Sequence, residues 1–237
     1  MLFATPQLWF SSLASLNDPF ECRPQITCGG SREMVMEFLV RMVSKNHPYL
    51  SRDGVTAEAA AIYLRGDHLN PEIWVTVRQQ VIDDLMQSIS LYCLSEVNDE
   101  ILMWSHYADK HRGYCLMFAA TDETPFFGEA QRVIYSENLP VIDIVNDTAH
   151  DKATKTLLTK CVDWKYEKEW RIVNYELASG WHSYPPELLV GVIVGARMPT
   201  EDRARITGWL RRREHPVKLF EAVQSDRHFR VGIRPID

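Results

Sequence analysis

The stretch ISLYCLSEVNDEILMWSHYADKHRGYCLMFAA, residues 89–120, contains a short apolar run, a longer mixed segment and a second short apolar run. The two outer runs, ISLYCLS and GYCLMFAA, have the length and composition of buried strands. Between them, EILMWSHYADKH is long enough for a helix of about three turns. The stretch therefore predicts a fold that mixes strands with helices.

The same patterns continue on both sides of this stretch. Further strands are predicted at 7–12, 131–136, 169–177, 188–195, 217–223 and 229–235. Helices are predicted at 31–44, 56–66, 71–88, 151–161 and 200–214. Strands and helices alternate only in part, which favours an α+β fold with a mixed, mostly antiparallel sheet over a doubly wound parallel one. Because no long Ser/Gly linker interrupts the chain, we expect one domain over 1–237, with 31–88 as a helical insertion packed on the sheet.

Composition excludes several classes of protein. Hydrophobic residues make up 46% and charged residues 24% of the 237, which is typical of a globular chain and not of a disordered one. The net charge of −6 gives no general electrostatic attraction to nucleic acid. Five cysteines without a CxxC pair favour reduced thiols over a zinc ribbon or a disulfide framework. With no signal peptide and no long apolar run, we expect a cytoplasmic protein without a membrane partner.

The segment WSHYADKHR carries the first group of candidate site residues. On a continuous helix, Met103, Tyr107 and His111 share a face by their spacing of four, and His106 points elsewhere. Two histidines five residues apart do not share a helical face, so no metal site is expected here. The aromatic residues Trp104 and Tyr107 either belong to the core or line a functional pocket with the histidines.

The segment DWKYEKEWRIV contains two glutamates, Glu167 and Glu169. On a strand, residues two apart project from the same face. The pair is either part of a charged strand edge, neutralised by lysines and Arg171, or a pair of carboxylates at the mouth of a cleft. In a cleft, one carboxylate orients an acceptor and the other stabilises a developing cation.

A third segment, FSSLASLNDPFEC, places Ser11 and Ser12 at the end of a predicted strand. Asn17 and Asp18 follow, with the chemistry of an Asx–Pro turn. These groups either cap and turn the chain or donate and accept hydrogen bonds with the amide or ribose of a ligand.

In this order, the three segments, with VIY at 133–135 and LLVGVIVGARM at 188–198, resemble the bacterial domain of unknown function 2971. The resemblance extends over nearly the whole chain, and its most specific blocks are MWSHYA-x-x-H-x-G and W-x-YE-x-EWR. Members of that family usually begin with an additional strand, whereas only MLFATPQ precedes the first segment here. The resemblance implies a fold type and a set of motif residues, and it implies no reaction.

A weaker similarity connects the E-x-E pair and the strand-end serines to ADP-ribosyltransferases. This similarity implies that Glu169 is catalytic and holds the nicotinamide ribose, while Glu167 orients the acceptor. Ser11 or Ser12 would brace the site, Tyr107 or Trp104 would stack on nicotinamide, and His106 or His111 would grip NAD. It implies NAD as co-substrate and a protein or nucleic-acid acceptor, in a bacterial toxin or an anti-phage defence effector.

Two alternatives remain open on sequence grounds. One is a metal-independent hydrolase or nuclease in which His106 is the general base, oriented by Asp109 or a glutamate. The other is a non-enzymatic module that binds a nucleotide or a protein through the aromatic and polar cluster. Across these hypotheses the catalytic candidates are Glu169, Glu167 and His106. The candidate substrate-binding residues are Ser11, Ser12, Asn17, Asp18, Trp104, Tyr107, His111, Tyr135 and Arg171.

Overall fold

The computed structural model describes residues 5–176 and 179–236. In chain order the strands are β1 Gln7–Ser12, β2 Gln25–Thr27, β3 Ser90–Ser95, β4 Tyr114–Phe118, β5 Gln131–Arg132, β6 Ile134–Ser136, β7 Val141–Asp143, β8 Thr159–Cys161, β9 Glu169–Asn174, β10 Gly180–Ser183, β11 Leu189–Val194, β12 Lys218–Gln224 and β13 Val231–Pro235. The α-helices are α1 Arg32–Asn46, α2 Arg52–Arg65, α3 Pro71–Ser88, α4 Ile101–Tyr107, α5 Ala149–Leu157 and α6 Thr200–Leu210.

The chain forms two compact units. The first comprises the described residues of Met1–Ser15, Ser88–Val133 and Asp163–Asp237, and the second comprises Leu16–Gln87 and Ile134–Val162. The predicted α+β fold with mostly antiparallel sheets is confirmed. That the chain is a single domain, and that the insertion 31–88 packs on the main sheet, both stay predictions. The predictions for MLFA at the start and for the strand end at Leu177 lie outside the described residues.

The first unit contains a five-stranded sheet in the order β10-β1-β3-β9-β5, with every neighbouring pair antiparallel. One face of β1 is apolar because Leu8 and Phe10 alternate with polar or exposed residues along the strand. Phe10 stacks on Tyr92 of β3 at 5.5 Å, and Ile172 of β9 belongs to the same buried cluster. This face of the sheet is therefore the core of the unit.

A second sheet in the first unit has the order β13-β12-β11-β4. Strands β11 and β12 are parallel, and α6 lies between them in the chain, as expected for a crossover connection. Val192, Ile193 and Val194 of β11 are almost completely buried. A strand buried on both faces has an uninterrupted apolar sequence, which is how LVGVIV appears in the chain.

The second unit consists mainly of helices α1, α2, α3 and α5, with two short parallel pairs, β2–β7 and β6–β8. The hydroxyl groups of Ser31 and Ser51 accept hydrogen bonds from the first turns of α1 and α2, as N-caps do. Gly66 ends α2 in a left-handed conformation. The predicted start of α1 at Ser31 and the predicted bounds of α3 are confirmed.

Several predicted elements differ in the structure: α2 begins four residues earlier than predicted, at Arg52, and α6 and β9 end earlier, at Leu210 and Asn174. The segment 131–136 is two short strands, β5 and β6, separated at Val133. The segment 151–161 is a helix only to Leu157 and then becomes β8. Helix α4 has seven residues, fewer than predicted, because Asp109, Lys110 and His111 all have positive φ (44°, 54° and 68°). A right-handed helix cannot continue through residues in that conformation.

Among the residues that the structure describes, no helix combines the length and apolar character needed to cross a membrane.

Candidate functional site

Two contacting pairs of side chains in the first unit are together named here the carboxylate cluster: Tyr107 with Glu167, and Glu169 with Arg171. Both glutamates are buried, with 3% and 4% of their surface exposed. Placing two carboxylates out of water is costly unless each has strong partners, so their contacts decide what the cluster can do.

Glu169 and Arg171 form a buried ion pair on β9. The guanidinium of Arg171 donates from Nε to Oε1 of Glu169 at 2.7 Å and from Nη2 to Oε2 at 3.1 Å. Arg171 is fully buried. The two residues are two apart on one strand, so they project from the same face and can meet in this bidentate geometry. The ion pair holds both oxygens of Glu169 in fixed positions.

Glu167 does not lie on β9. It ends a 3-10 helix, Val162–Glu167, and Lys168 with φ of 44° separates it from the strand. The premise that both glutamates lie on one strand was therefore wrong, although the structure brings both of them into the cluster. The main-chain oxygen of Glu167 accepts a hydrogen bond of 2.6 Å from the Ser95 hydroxyl, at the end of β3. The neighbouring strand thus fixes the end of the 3-10 helix.

The carboxylate of Glu167 is hydrogen-bonded to Tyr107, a residue that reaches the surface. The Tyr107 hydroxyl donates a hydrogen bond of 2.6 Å to Oε1 of Glu167. Tyr107 is the last residue of α4, and 48% of its surface is exposed. A half-exposed phenol therefore stands between solvent and a buried carboxylate.

Aromatic residues and His106 lie beside this contact. The exposed imidazole of His106 lies 6.3 Å from the ring of Trp164 and 6.2 Å from that of Tyr107, measured between ring centroids. Trp164 in turn lies 6.1 Å from Tyr166 on the 3-10 helix. Asp109 accepts a hydrogen bond from Arg112 at 3.0 Å. The alternative in which Asp109 or a glutamate orients His106 stays a prediction.

Trp104 is a core residue rather than a stacking platform. Only 3% of its surface is exposed, and it packs with Ile193, Ala222 and Val231. Its indole nitrogen donates to the main-chain oxygen of Asn98 at 2.7 Å. The prediction that Trp104 stacks on a ligand was therefore wrong, and the alternative of a core aromatic is confirmed.

His111 lies beyond α4 and does not share a helical face with Tyr107, which corrects the predicted arrangement. Its Nε2 lies 3.1 Å from the Ser105 hydroxyl, and its ring stacks on Trp104 at 6.4 Å. Among the described residues, its buried Nδ1 has no hydrogen-bond partner. Burial, and next the positive charge of Arg197, lower the pKa of His111. His111 therefore packs against helix α4 through Ser105 and Trp104.

Ser11 and Ser12 lie away from the carboxylate cluster. They pair with Leu91 and Ser90 at one end of β3, whereas Ser95 at the other end pairs with Glu169. The predicted convergence of strand-end serines with the glutamate pair was wrong, because the antiparallel register of β1, β3 and β9 separates them by the length of β3.

The remaining predicted residues, Asn17, Asp18 and Tyr135, belong to the second unit. Asp18 is buried, and its carboxylate accepts a hydrogen bond of 2.8 Å from the main-chain nitrogen of Phe20, which is the predicted Asx turn. Close by in the chain, Glu21 forms a buried ion pair with Lys160 at 3.3 Å. Lys160 pairs with Tyr135 across β6 and β8. Glu21 and Lys160 were not among the predicted site residues, although Glu21 lies in the quoted segment FSSLASLNDPFEC.

A cavity of about 270 Å³ opens elsewhere in the first unit, between the ends of β11 and β12 and helix α6. Its charged lining is Glu221 between Arg203 and Arg234, whose hydrogen bonds to the carboxylate measure 2.8 and 2.5 Å. The hydrogen bond from Arg234 contributes most to lowering the pKa of Glu221, and the contacts with Arg203 lower it further. The cavity contains none of the predicted site residues. Within the described ranges, no group of three or more His, Cys, Asp or Glu is arranged to hold a metal ion.

Together these observations define an α+β protein with a buried carboxylate cluster reached through a half-exposed tyrosine. Residues 103–172 match the model of a family described as "Protein of unknown function (DUF2971)". The predicted resemblance is confirmed over this stretch, which includes all four residues of the carboxylate cluster. The resemblance of the segments outside it stays a prediction. No curated protein and no solved structure matches the chain.

Proposed function

We propose that this protein is an enzyme that cleaves the N-glycosidic bond between nicotinamide and ribose in NAD, with the carboxylate cluster as its centre. One observation supports the proposal above all: the buried carboxylate of Glu167 accepts a 2.6 Å hydrogen bond from the half-exposed phenol of Tyr107. Glu167 is therefore an acidic side chain held in a water-poor environment beside a residue that reaches solvent.

The reaction calls for such a group. The bond between the ribose carbon and the nicotinamide nitrogen breaks, and nicotinamide leaves with the bonding electron pair. The ribose carbon then carries positive charge until water or an acceptor forms a bond to it and loses a proton. A fixed carboxylate near that carbon stabilises the charge more strongly when water is excluded.

The proposal exchanges the roles that the ADP-ribosyltransferase similarity gives to the two glutamates. Both oxygens of Glu169 accept hydrogen bonds from the buried guanidinium of Arg171, which balances much of the carboxylate charge. Because Tyr107, which bonds to Glu167, is half-exposed, we assign Glu167 to stabilising the ribose cation and the deeply buried Glu169–Arg171 pair to positioning. Rotation of the Tyr107 side chain into solvent would give a substrate access to Glu167.

The residues at the edge of the cluster would complete the reaction. His106 is exposed and close to Tyr107, so it is available to accept the proton that water or an acceptor loses. The half-buried indole of Trp164 offers a flat face to the nicotinamide ring. The acceptor is water in the simplest form of the reaction, and a protein or nucleic acid in the transferase form.

The test measures the release of nicotinamide from NAD by the purified protein, monitored by chromatography. The reaction is run with water as the only acceptor and again with protein, DNA or RNA added. Glu167→Gln should lower the rate by about a hundredfold or more. Its amide oxygen still accepts the Tyr107 hydrogen bond, so the melting temperature should stay nearly unchanged. The matched control is Glu123→Gln, an exposed glutamate of the same unit, which should keep full activity.

Two results would contradict the proposal. One is wild-type protein that leaves NAD intact with water and with every acceptor. The other is a Glu167→Gln variant as active as the wild type. A nucleotide that raises the melting temperature and is never consumed would instead favour a binding module.

A further inference from the structure

Two exposed tryptophans lie side by side on neighbouring strands of the five-stranded sheet. Trp9 of β1 pairs with Trp181 of β10, and their ring centroids are 5.3 Å apart with an interplanar angle of 72°. Despite their size, 46% and 51% of their surfaces are exposed. Exposed tryptophan pairs are uncommon on a protein surface and are typical of recognition sites.

The tryptophan pair lies on the same face of the sheet as the Glu169–Arg171 ion pair. The ladder between β1 and β3 pairs Ser11 with Leu91 and Ser12 with Ser90. Continued by one residue along each strand, it brings Phe10 beside Tyr92, and the rings of these two residues stack at 5.5 Å. A further residue along each strand brings Trp9 toward Cys93, on the other face of the sheet.

Cys93 extends this row toward the carboxylate cluster. It pairs directly with Arg171 on β9. The row across the sheet on this face is therefore Trp181, Trp9, Cys93 and Arg171. Glu169 lies two residues further along β9, on the same face.

The distance along this face suits a dinucleotide. Two strand spacings across the sheet and two residues along β9 give about 12 Å between the Cα atoms of Trp9 and Glu169. Glu167, to which the proposed function assigns the ribose cation, precedes Glu169 by two residues in the chain. A ligand whose nicotinamide ribose lies at the carboxylate cluster can therefore place its other base on the tryptophan pair. Stacking on an aromatic side chain is a general way to bind a base.

We infer that Trp9 and Trp181 form the binding surface for the adenine base of NAD, at a distance from the bond that is cleaved. This inference rests on the proposed function and assigns two residues that bind the substrate without taking part in the reaction. The competing explanation is that the pair only stabilises the contact between β1 and the edge strand β10.

The experiment compares ligands with and without the base by isothermal titration calorimetry. The probes are ADP-ribose and AMP, which carry adenine, and ribose 5-phosphate, which does not. Trp9→Leu and Trp181→Leu should each raise the Kd for ADP-ribose and AMP by roughly tenfold or more. The Kd for ribose 5-phosphate should stay unchanged. Trp209→Leu, which removes an exposed tryptophan from α6, is the matched control and should bind all three probes as the wild type does.

Several outcomes would overturn the inference: unchanged binding in both variants, an equal loss for all three probes, or no binding of adenine nucleotides by the wild type. The same experiments distinguish a failure of the proposed function from a failure of this inference. If NAD is never cleaved but the tryptophan variants still lose affinity for ADP-ribose alone, the binding surface stands and the reaction does not. If NAD is cleaved with an unchanged KM in both variants, the reaction stands and the binding surface does not.

Discussion

The guanidinium of Arg171 and the carboxylate of Glu169 form two hydrogen bonds, of 2.7 and 3.1 Å, within a sheet that buries both side chains. The pair connects stability with the candidate site, because it fixes the start of β9 directly after Glu167. If either partner is removed, the other charge remains buried without its main counter-charge.

Arg171→Met should therefore destabilise the protein by about 3–5 kcal/mol. The free energy of unfolding from urea titrations is the measurement. The matched control is Arg205→Met, which breaks the exposed pair with Asp202 and should cost at most about 1 kcal/mol. The double variant Glu169→Leu/Arg171→Met should be more stable than Arg171→Met alone, since it also removes the carboxylate that Arg171→Met leaves without its guanidinium partner. Equal costs for Arg171→Met and Arg205→Met would show that the buried pair has no special importance.

Tyr107→Phe should remove the hydrogen bond to Glu167 and leave the ring in place. A hydrogen bond to a charged group contributes about 1.5–3 kcal/mol, and the half-exposed position of Tyr107 favours the lower end of that range. The free energy of unfolding should fall by that amount. The rate of nicotinamide release should also differ from that of the wild type. Tyr49→Phe is the control, because Tyr49 is exposed and its hydroxyl bonds to Nδ1 of His47 rather than to a buried carboxylate. If both variants have the same stability as the wild type, water replaces the phenol at no cost.

Local sequence patterns were sufficient for those elements whose limits depend on local chemistry. Strand β1 was predicted with its observed bounds because Leu8 and Phe10 alternate with outward-facing residues. Helix α3 was predicted from Pro71 to Ser88 because proline suits the first turn of a helix.

Features that depend on distant contacts could not be predicted in this way. The separation of Ser11 from Glu169 follows from the register of three antiparallel strands, which no local pattern encodes. The tryptophan pair was missed for the same reason, since Trp9 and Trp181 meet only through strand pairing. The position of Glu167 depends on the left-handed conformation of Lys168, and lysine gives no sequence signal for it.

Gly195→Ala should destabilise the turn that ends α4. A Cβ at position 195 would overlap the main-chain oxygen of His111 and would lie 2.8 Å from that of Gly113. Neither main-chain atom can move without breaking the turn, so we expect a loss of at least about 2 kcal/mol. Gly208→Ala is the control, since a Cβ there meets nothing within 4 Å and alanine favours the helix by about 1 kcal/mol. Chemical denaturation of both variants tests this, and a Gly195→Ala variant as stable as Gly208→Ala would contradict the packing of the turn.

His111 should make the stability of the protein depend on pH just below neutrality. Burial lowers its pKa in the folded state, whereas the unfolded chain has the ordinary value of about 6.5. As the pH falls below about 6.5, the unfolded state therefore binds a proton before the folded state does. The contribution of His111 to stability is complete above that pH and declines as the pH falls toward the lower, folded pKa.

His111→Asn should remove the pH-dependent contribution of His111 to stability. Asparagine tolerates the positive φ at this position. The measurement is the free energy of unfolding at pH 7.5 and at pH values below 6.5. The difference between these values should be smaller in His111→Asn than in the wild type. His228→Asn changes an exposed histidine and should leave the difference unchanged. If the decline with falling pH is as steep in His111→Asn as in the wild type, the buried imidazole is not its source.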